Sequence, residues 1–103
     1  MSVIGEVTKQ PSEIFPIGVD FTPDMESGDT LTTATVTAKN MDTGASSTAT
    51  VLTGLAGVAT STDIVTQAIT GGTDGDWHRV QFKATTTAGR VYEHEIDVRV
   101  IEA

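Results

Sequence analysis

The sequence predicts an all-β protein, specifically an immunoglobulin-like β-sandwich of about seven antiparallel strands. Three observations carry this. Thr is the most abundant residue type and Val the commonest large apolar one, while Leu occurs only at Leu31, Leu52 and Leu55. Branched side chains are stiff at χ1, suit a pleated surface and form helices poorly. Ten glycines spread along 103 residues supply turns, and apolar and polar residues alternate with the period of half-buried strands. A chain of about 100 residues with turn signals at this density suits a sandwich.

Taken in order, residues 1–12 read as an N-terminal extension, flexible and outside the domain, which occupies 13–103. Ile14 to Thr22 is a first strand with Ile17, Val19 and Phe21 on one face, and Pro16 confines its start to an edge or an irregular entry. Pro23 ends it, and Asp24-Met25-Glu26-Ser27-Gly28-Asp29 follows as a polar turn. Leu31 to Lys39 is a second strand, with Ala34, Val36 and Ala38 against Thr33, Thr35 and Thr37. Ala49 to Leu52 and Gly57 to Thr60 are short and ambiguous, and the strand pairing across 40–62 stays open. Asp63 to Ile69 is a further strand whose buried face the pattern does not decide.

The last third is the most legible. Gly71-Gly72-Thr73-Asp74-Gly75-Asp76 is a turn with three glycines able to take positive φ. The strand from Trp77 to Thr86 sets His78, Val80, Phe82 and Ala84 on one face. The strand from Arg90 to Ile101 does the same with Tyr92, His94, Ile96, Val98 and Val100. A two-residue turn at Ala88-Gly89 would set the apolar face of one strand against the charged face of the other. A three-residue loop, Thr87-Ala88-Gly89 with Gly89 left-handed, pairs Thr86 with Arg90 and keeps one face apolar. It also sets Lys83 opposite Glu93, Gln81 opposite Glu95 and Arg79 opposite Asp97, pairs worth a few tenths to about 1 kcal/mol each.

Charge bounds the partners. Six Lys+Arg against fourteen Asp+Glu give a net −8 and a pI near 4.4, so the chain repels phosphate backbones and anionic membranes. The excess is uneven, because residues 1–52 hold only Lys9 and Lys39 as cations; a partner guided by charge would present a basic surface to that half. Absence of cysteine excludes disulfides, thiolate zinc sites and a cysteine nucleophile. No apolar run reaches the length of a membrane span, and the first residues lack the basic and apolar regions of a signal peptide.

Chemistry is scarce. The acids Asp24, Glu26 and Asp29 in one loop, and Asp74 and Asp76 in another, are of the type that ligates calcium. They are also ordinary turn residues, and no calcium-loop spacing is present, so no metal site is assigned. His78 and His94 share the inward face about four residues apart, and a shared metal would need a third ligand and a shorter distance; they read as semi-buried rings. No Gly-x-Ser-x-Gly elbow and no positioned His–acid pair can be argued, and the Gly-rich turn lacks the Lys and helix of a phosphate loop. Glu93 and Glu95 read as a solvated face. No enzyme, cofactor or small-molecule substrate is expected. Trp77, the single Trp, either anchors a partner or caps the open end of the core. Trp77, Asp24, Glu26 and Asp29 are the candidate partner contacts.

Several segments resemble a known family. Lys9-Gln10-Pro11-Ser12-Glu13, Gly18-Val19-Asp20-Phe21-Thr22, Ser27-Gly28-Asp29-Thr30-Leu31, the turn at Gly71 to Gly75, Thr85 to Arg90 and the terminal Val98-Arg99-Val100 together resemble small structural proteins of tailed phages and prophages, of the fibre–tail adaptor or neck and tail accessory type. The match spans most of 9–101, with 40–62 carrying little of it, and Trp77-His78 departs from the Tyr that relatives place after the Gly-rich turn. The resemblance implies a virion protein without catalytic residues, made in the host cytoplasm and contacting other virion proteins in multiple copies. Nucleic acid and membrane are excluded as partners. The alternatives are a capsid decoration protein and a surface Ig-like module for sugar or protein.

Overall fold

The computed structural model describes residues 2–59 and 62–102, with side chains from residue 4 onward. It is all-β. Seven strands run in chain order as β1 (Ser2–Lys9), β2 (Phe15–Asp20), β3 (Leu31–Asn40), β4 (Leu52–Ala59), β5 (Ile64–Ile69), β6 (Trp77–Thr86) and β7 (Val91–Val100). A 3₁₀ turn at Thr22–Asp24 follows β2, and a four-residue helix α1 (Thr48–Val51) precedes β4. The strands form two sheets, one ordered β1-β7-β6-β3 and the other β2-β5-β4.

The core lies between the sheets and follows the alternation of each strand. β2 contributes Ile17 and Val19, β5 Val65 and Ile69, β6 Val80, Phe82 and Ala84, and β7 Ile96, Val98 and Val100, all buried. Phe21, just past β2, is fully buried. In β3 both Leu31 and Ala38 are buried although their parity differs. A register shift between Leu31 and Thr33 restores the common face, since one extra residue in a strand reverses its alternation. Pro16 lies on an edge strand, where its missing N–H breaks no central ladder.

The β6–β7 hairpin adopts the three-residue loop. Ala84 pairs with Tyr92, Phe82 with His94, Val80 with Ile96 and His78 with Val98. The Thr86 N–H donates to the Arg90 carbonyl (2.9 Å), and Gly89 sits at φ +85°.

Three features differ from expectation. Ser2–Lys9, read as a flexible extension, form β1 at the edge of the four-stranded sheet. β1 runs parallel to β7 while the other pairs are antiparallel. The chain crosses to the opposite sheet between β1 and β2, and a crossover of this kind permits parallel pairing. The ambiguous stretch resolves into α1 and an irregular β4. There Thr53 pairs with Ala68 and Gly57 with Thr66, so Gly54, Leu55 and Ala56 together oppose Gln67. Gly54 takes φ +72° at this bulge, and Leu55 is 98% exposed. Thr60, the last residue of that stretch, lies outside the described residues.

Candidate functional site

The polar groups gather at the two ends of the β6–β7 hairpin. β6 has ten residues, so its ends lie about 30 Å apart at the usual strand rise. The candidate contacts therefore separate: Glu26 and Asp29 sit by the Thr87–Gly89 loop, Asp24 beside His94 further along β7, and Trp77 at the opposite end.

At the first end the acidic loop folds back onto the hairpin. Arg90 reaches Glu26 Oε2 at 3.2 Å and Asp29 Oδ2 at 3.6 Å. Asp29 Oδ1 accepts the N–H groups of Thr30 (3.0 Å) and Ala88 (3.1 Å). The Thr86 hydroxyl is the largest influence holding its carboxyl below the usual range, assisted by those N–H groups and by the Arg90 charge. Asp24 Oδ2 lies 2.6 Å from His94 Nε2, and the His94 ring packs against Phe21 with centroids 5.3 Å apart. Asp29 and Asp24 thus brace the loop, while Glu26 keeps 68% of its side chain exposed.

Trp77 opens β6 on the outer face of the four-stranded sheet. The Arg99 guanidinium carbon stands 4.6 Å from its ring centroid and that of Arg79 5.5 Å, distances at which the ring face attracts a cation. Its Nε1 is buried and has no hydrogen-bond partner among the described residues. Arg79 in turn holds Asp97 through Nε (2.8 Å) and Nη2 (3.3 Å). That hydrogen bonding is the main reason its guanidinium pKa is raised.

Beneath this end lies a buried polar chain. His78 Nδ1 is 2.9 Å from Ser47 Oγ, and His78 Nε2 is 3.0 Å from Asp76 Oδ2. A hydroxyl, an imidazole and a carboxylate in line have the composition of a nucleophilic triad. Here Ser47 is 4% exposed and His78 3%, so the hydroxyl is shut away from any acyl substrate. The bonds instead join the entry of α1 to the start of β6. Both histidines pair with a carboxylate, which corrects the expectation that no His–acid pair would be positioned. Asp76 and His78 lie two apart, so one strand face supplies that pair, but nothing local announces Ser47, 31 positions away.

Lys9 was also missed. It points inward at the end of β1, 1% exposed. Its Nζ donates to the carbonyls of Gln10 (2.7 Å), Pro11 (3.3 Å) and Gly71 (2.7 Å). Burial lowers its pKa, partly offset by the Glu13 carboxylate. Among the described residues no group of three or more His, Asp or Glu converges to hold a metal ion, and Asp74 and Asp76 are engaged by the N–H groups of Glu102 and Thr73 respectively.

Two sheets with charged clusters braced at both ends define an all-β sandwich module. The particular family follows from comparison: the family model described as podophage GP4 fiber-tail adaptor protein gp77 matches residues 9–99. The chain belongs to that family, so its role is structural, in a phage tail, and as an adaptor it contacts other proteins of the virion tail. No curated protein matches the chain.

Proposed function

We propose that this chain is a non-enzymatic adaptor that joins neighbouring proteins of a podophage tail solely through protein–protein contacts. The observation that carries the reading is the family match over 9–99. The state of the polar groups supports it. Ser47, His78 and Asp76 hold one another in a closed chain, Asp24 and Asp29 brace a loop, and Lys9 is consumed by three carbonyls. Side chains spent in this way maintain shape, which is what a repeated particle component requires.

The partner surface has two parts under this reading. The exposed Glu26 and the neighbouring acidic loop take a basic protein surface, and Trp77 between its two arginines anchors a second contact at the far end. The net −8 disfavours nucleic acid and anionic membrane through repulsion of like charge. Mass spectrometry of purified virions, with electron microscopy of particles made without the protein, tests the assignment. Presence in the tail, and particles that lack fibres when it is missing, are the expected results. Absence from intact particles would sink it.

A further inference from the structure

The outer face of the four-stranded sheet carries an ordered pattern of charge. The ladders place Lys39 beside Arg79, Arg79 beside Asp97, and Asp97 beside Glu6. One row across β3, β6, β7 and β1 therefore reads plus, plus, minus, minus. Two rows toward the Thr87–Gly89 loop follow the same sense, with Gln81 beside Glu95 and Lys83 beside Glu93, while the row on the other side sets Trp77 beside Arg99 and so places a cation on the β7 side. Counting Arg99, the face holds four cations and four carboxylates, so the net −8 resides elsewhere on the molecule.

The row is imperfectly satisfied within one chain. Lys39 stands directly opposite Arg79, a like-charge pairing that disfavours the sheet. Asp97 and Glu6 repeat this with opposite sign. Arg79 and Asp97 neutralise each other at the centre (2.8 Å), and Glu6 has only a 3.9 Å contact with Arg99. Lys39, exposed on an edge strand, has no carboxylate within ion-pair distance among the described residues. Among the described residues the positive outer end of the row has no counter-charge in its own chain.

We propose that this face binds the same face of a second copy of the chain, about a two-fold axis parallel to the strands and centred over the gap between β6 and β7. That operation lays β3 over the partner copy's β1 and β6 over its β7. The exposed charges of each positive half-row then meet those of a negative half-row: Lys39 faces Glu6 and Lys83 faces Glu93 of the other copy, while Asp97, buried in the face, stays with its own Arg79. Arg99 of one copy falls over Trp77 of the other, continuing the cation–ring stack already present. A two-fold axis perpendicular to the strands would instead oppose like charges, so the pattern selects one of the two face-to-face symmetries. Such an interface is isologous, the same patch on both copies. Four strands of about ten residues present on the order of 600 Å² per copy, less than the roughly 800 Å² of a standard interface. The dimer is therefore weak, polar and salt-sensitive, formed where the local concentration of copies is high. This inference goes beyond the adaptor role and does not depend on it.

Charge reversal at the two exposed ends of the row tests it, using sedimentation equilibrium of the full chain at low salt. Wild type is expected to dimerise with a dissociation constant on the order of tens of micromolar, weakening as salt screens the pairs. Lys39→Glu alone sets Glu against Glu6 of the other copy, and Glu6→Lys alone sets Lys against Lys39. Each is expected to weaken self-association about tenfold or more. An equimolar mixture of the two variants restores complementarity and should form a heterodimer at near wild-type strength, as should the double variant with itself. Both sites are exposed, and circular dichroism checks that each variant is folded. A wild type that stays monomeric to about 1 mM overturns the proposal and leaves the face to another partner. So does a mixture that associates no better than either variant alone.

Discussion

The ammonium of Lys9 donates to the carbonyl of Gly71 across 2.7 Å, and this bond ties the edge strand β1 to the turn that leaves β5 in the opposite sheet. A buried cation costs several kcal/mol of desolvation, and here that cost is offset by three carbonyl acceptors, assisted by the charge of the Glu13 carboxylate. The side chain acts as a clasp between the sheets, adding to the ladder with β7 and to the packing of Val7 against the core.

Replacing Lys9 by Met keeps the volume of the stem and removes the donor. Buried ion pairs can be exchanged for apolar groups at little cost when both partners go. In this case the carbonyls remain, so the exchange leaves acceptors unpaired. Lys9→Met is expected to lower stability by about 1–3 kcal/mol, read from urea unfolding. Unchanged stability would show that the three bonds contribute nothing net.

Asp29 makes the acidic loop sensitive to pH. Its folded pKa lies below the ordinary 3.8, so between the two values the unfolded chain binds more protons than the folded one. Stability then rises with pH through that window and is lost as pH falls through the folded pKa. Asp29→Asn should leave the melting temperature less dependent on pH between about 5 and 2 than in wild type. Parallel melting curves for the two proteins would contradict this.

Gly72 is held by space as well as by backbone. Its φ is +92°, and an added Cβ would stand 2.7 Å from Val100 Cγ2, whereas Gly75, also at +92°, faces open space. Gly75→Ala is expected to cost about 1 kcal/mol from conformation alone, and Gly72→Ala a further 1–3 kcal/mol, roughly, from overpacking. Equal losses in thermal unfolding would mean that Val100 moves aside freely.

Ser47→Ala removes the partner of His78 Nδ1 in a buried setting. A structural role for the chain Ser47–His78–Asp76 predicts a loss of about 1–3 kcal/mol, visible as a lower melting temperature, with particle assembly retained at low temperature. A variant as stable as wild type would count against that role.

How much of this was legible depended on whether the physics was local. The β6–β7 register could be derived because one criterion, a continuous apolar face, separates two loop lengths, and every pairing in the hairpin then follows. β5 resisted because Ile64, Val65, Ala68 and Ile69 supply apolar residues to both faces. The deciding residue is polar: Gln67 is buried because its Nε2 donates to the carbonyls of Thr53 (2.9 Å) and Gly54 (3.3 Å) in the β4 bulge. A sequence pattern does not announce a side chain buried to serve a distant irregular backbone. β1 was hidden for a similar reason, since its inward face ends in Lys9, a residue almost never fully buried unless paired. The same holds for the acidic loop: its acids were visible, but their engagement with Arg90 and His94 depends on packing across some 60 to 70 positions of chain.

The parallel pairing of β1 with β7 has a mechanical meaning. Ser2 pairs with His94 and Lys9 with Val100, so the start of β1 and the end of β7 point to opposite ends of the module. Tension applied between those ends would slide the two strands past each other, straining all the ladder bonds at once and not one at a time as in peeling. Load applied along that direction meets the pair of strands where it yields least.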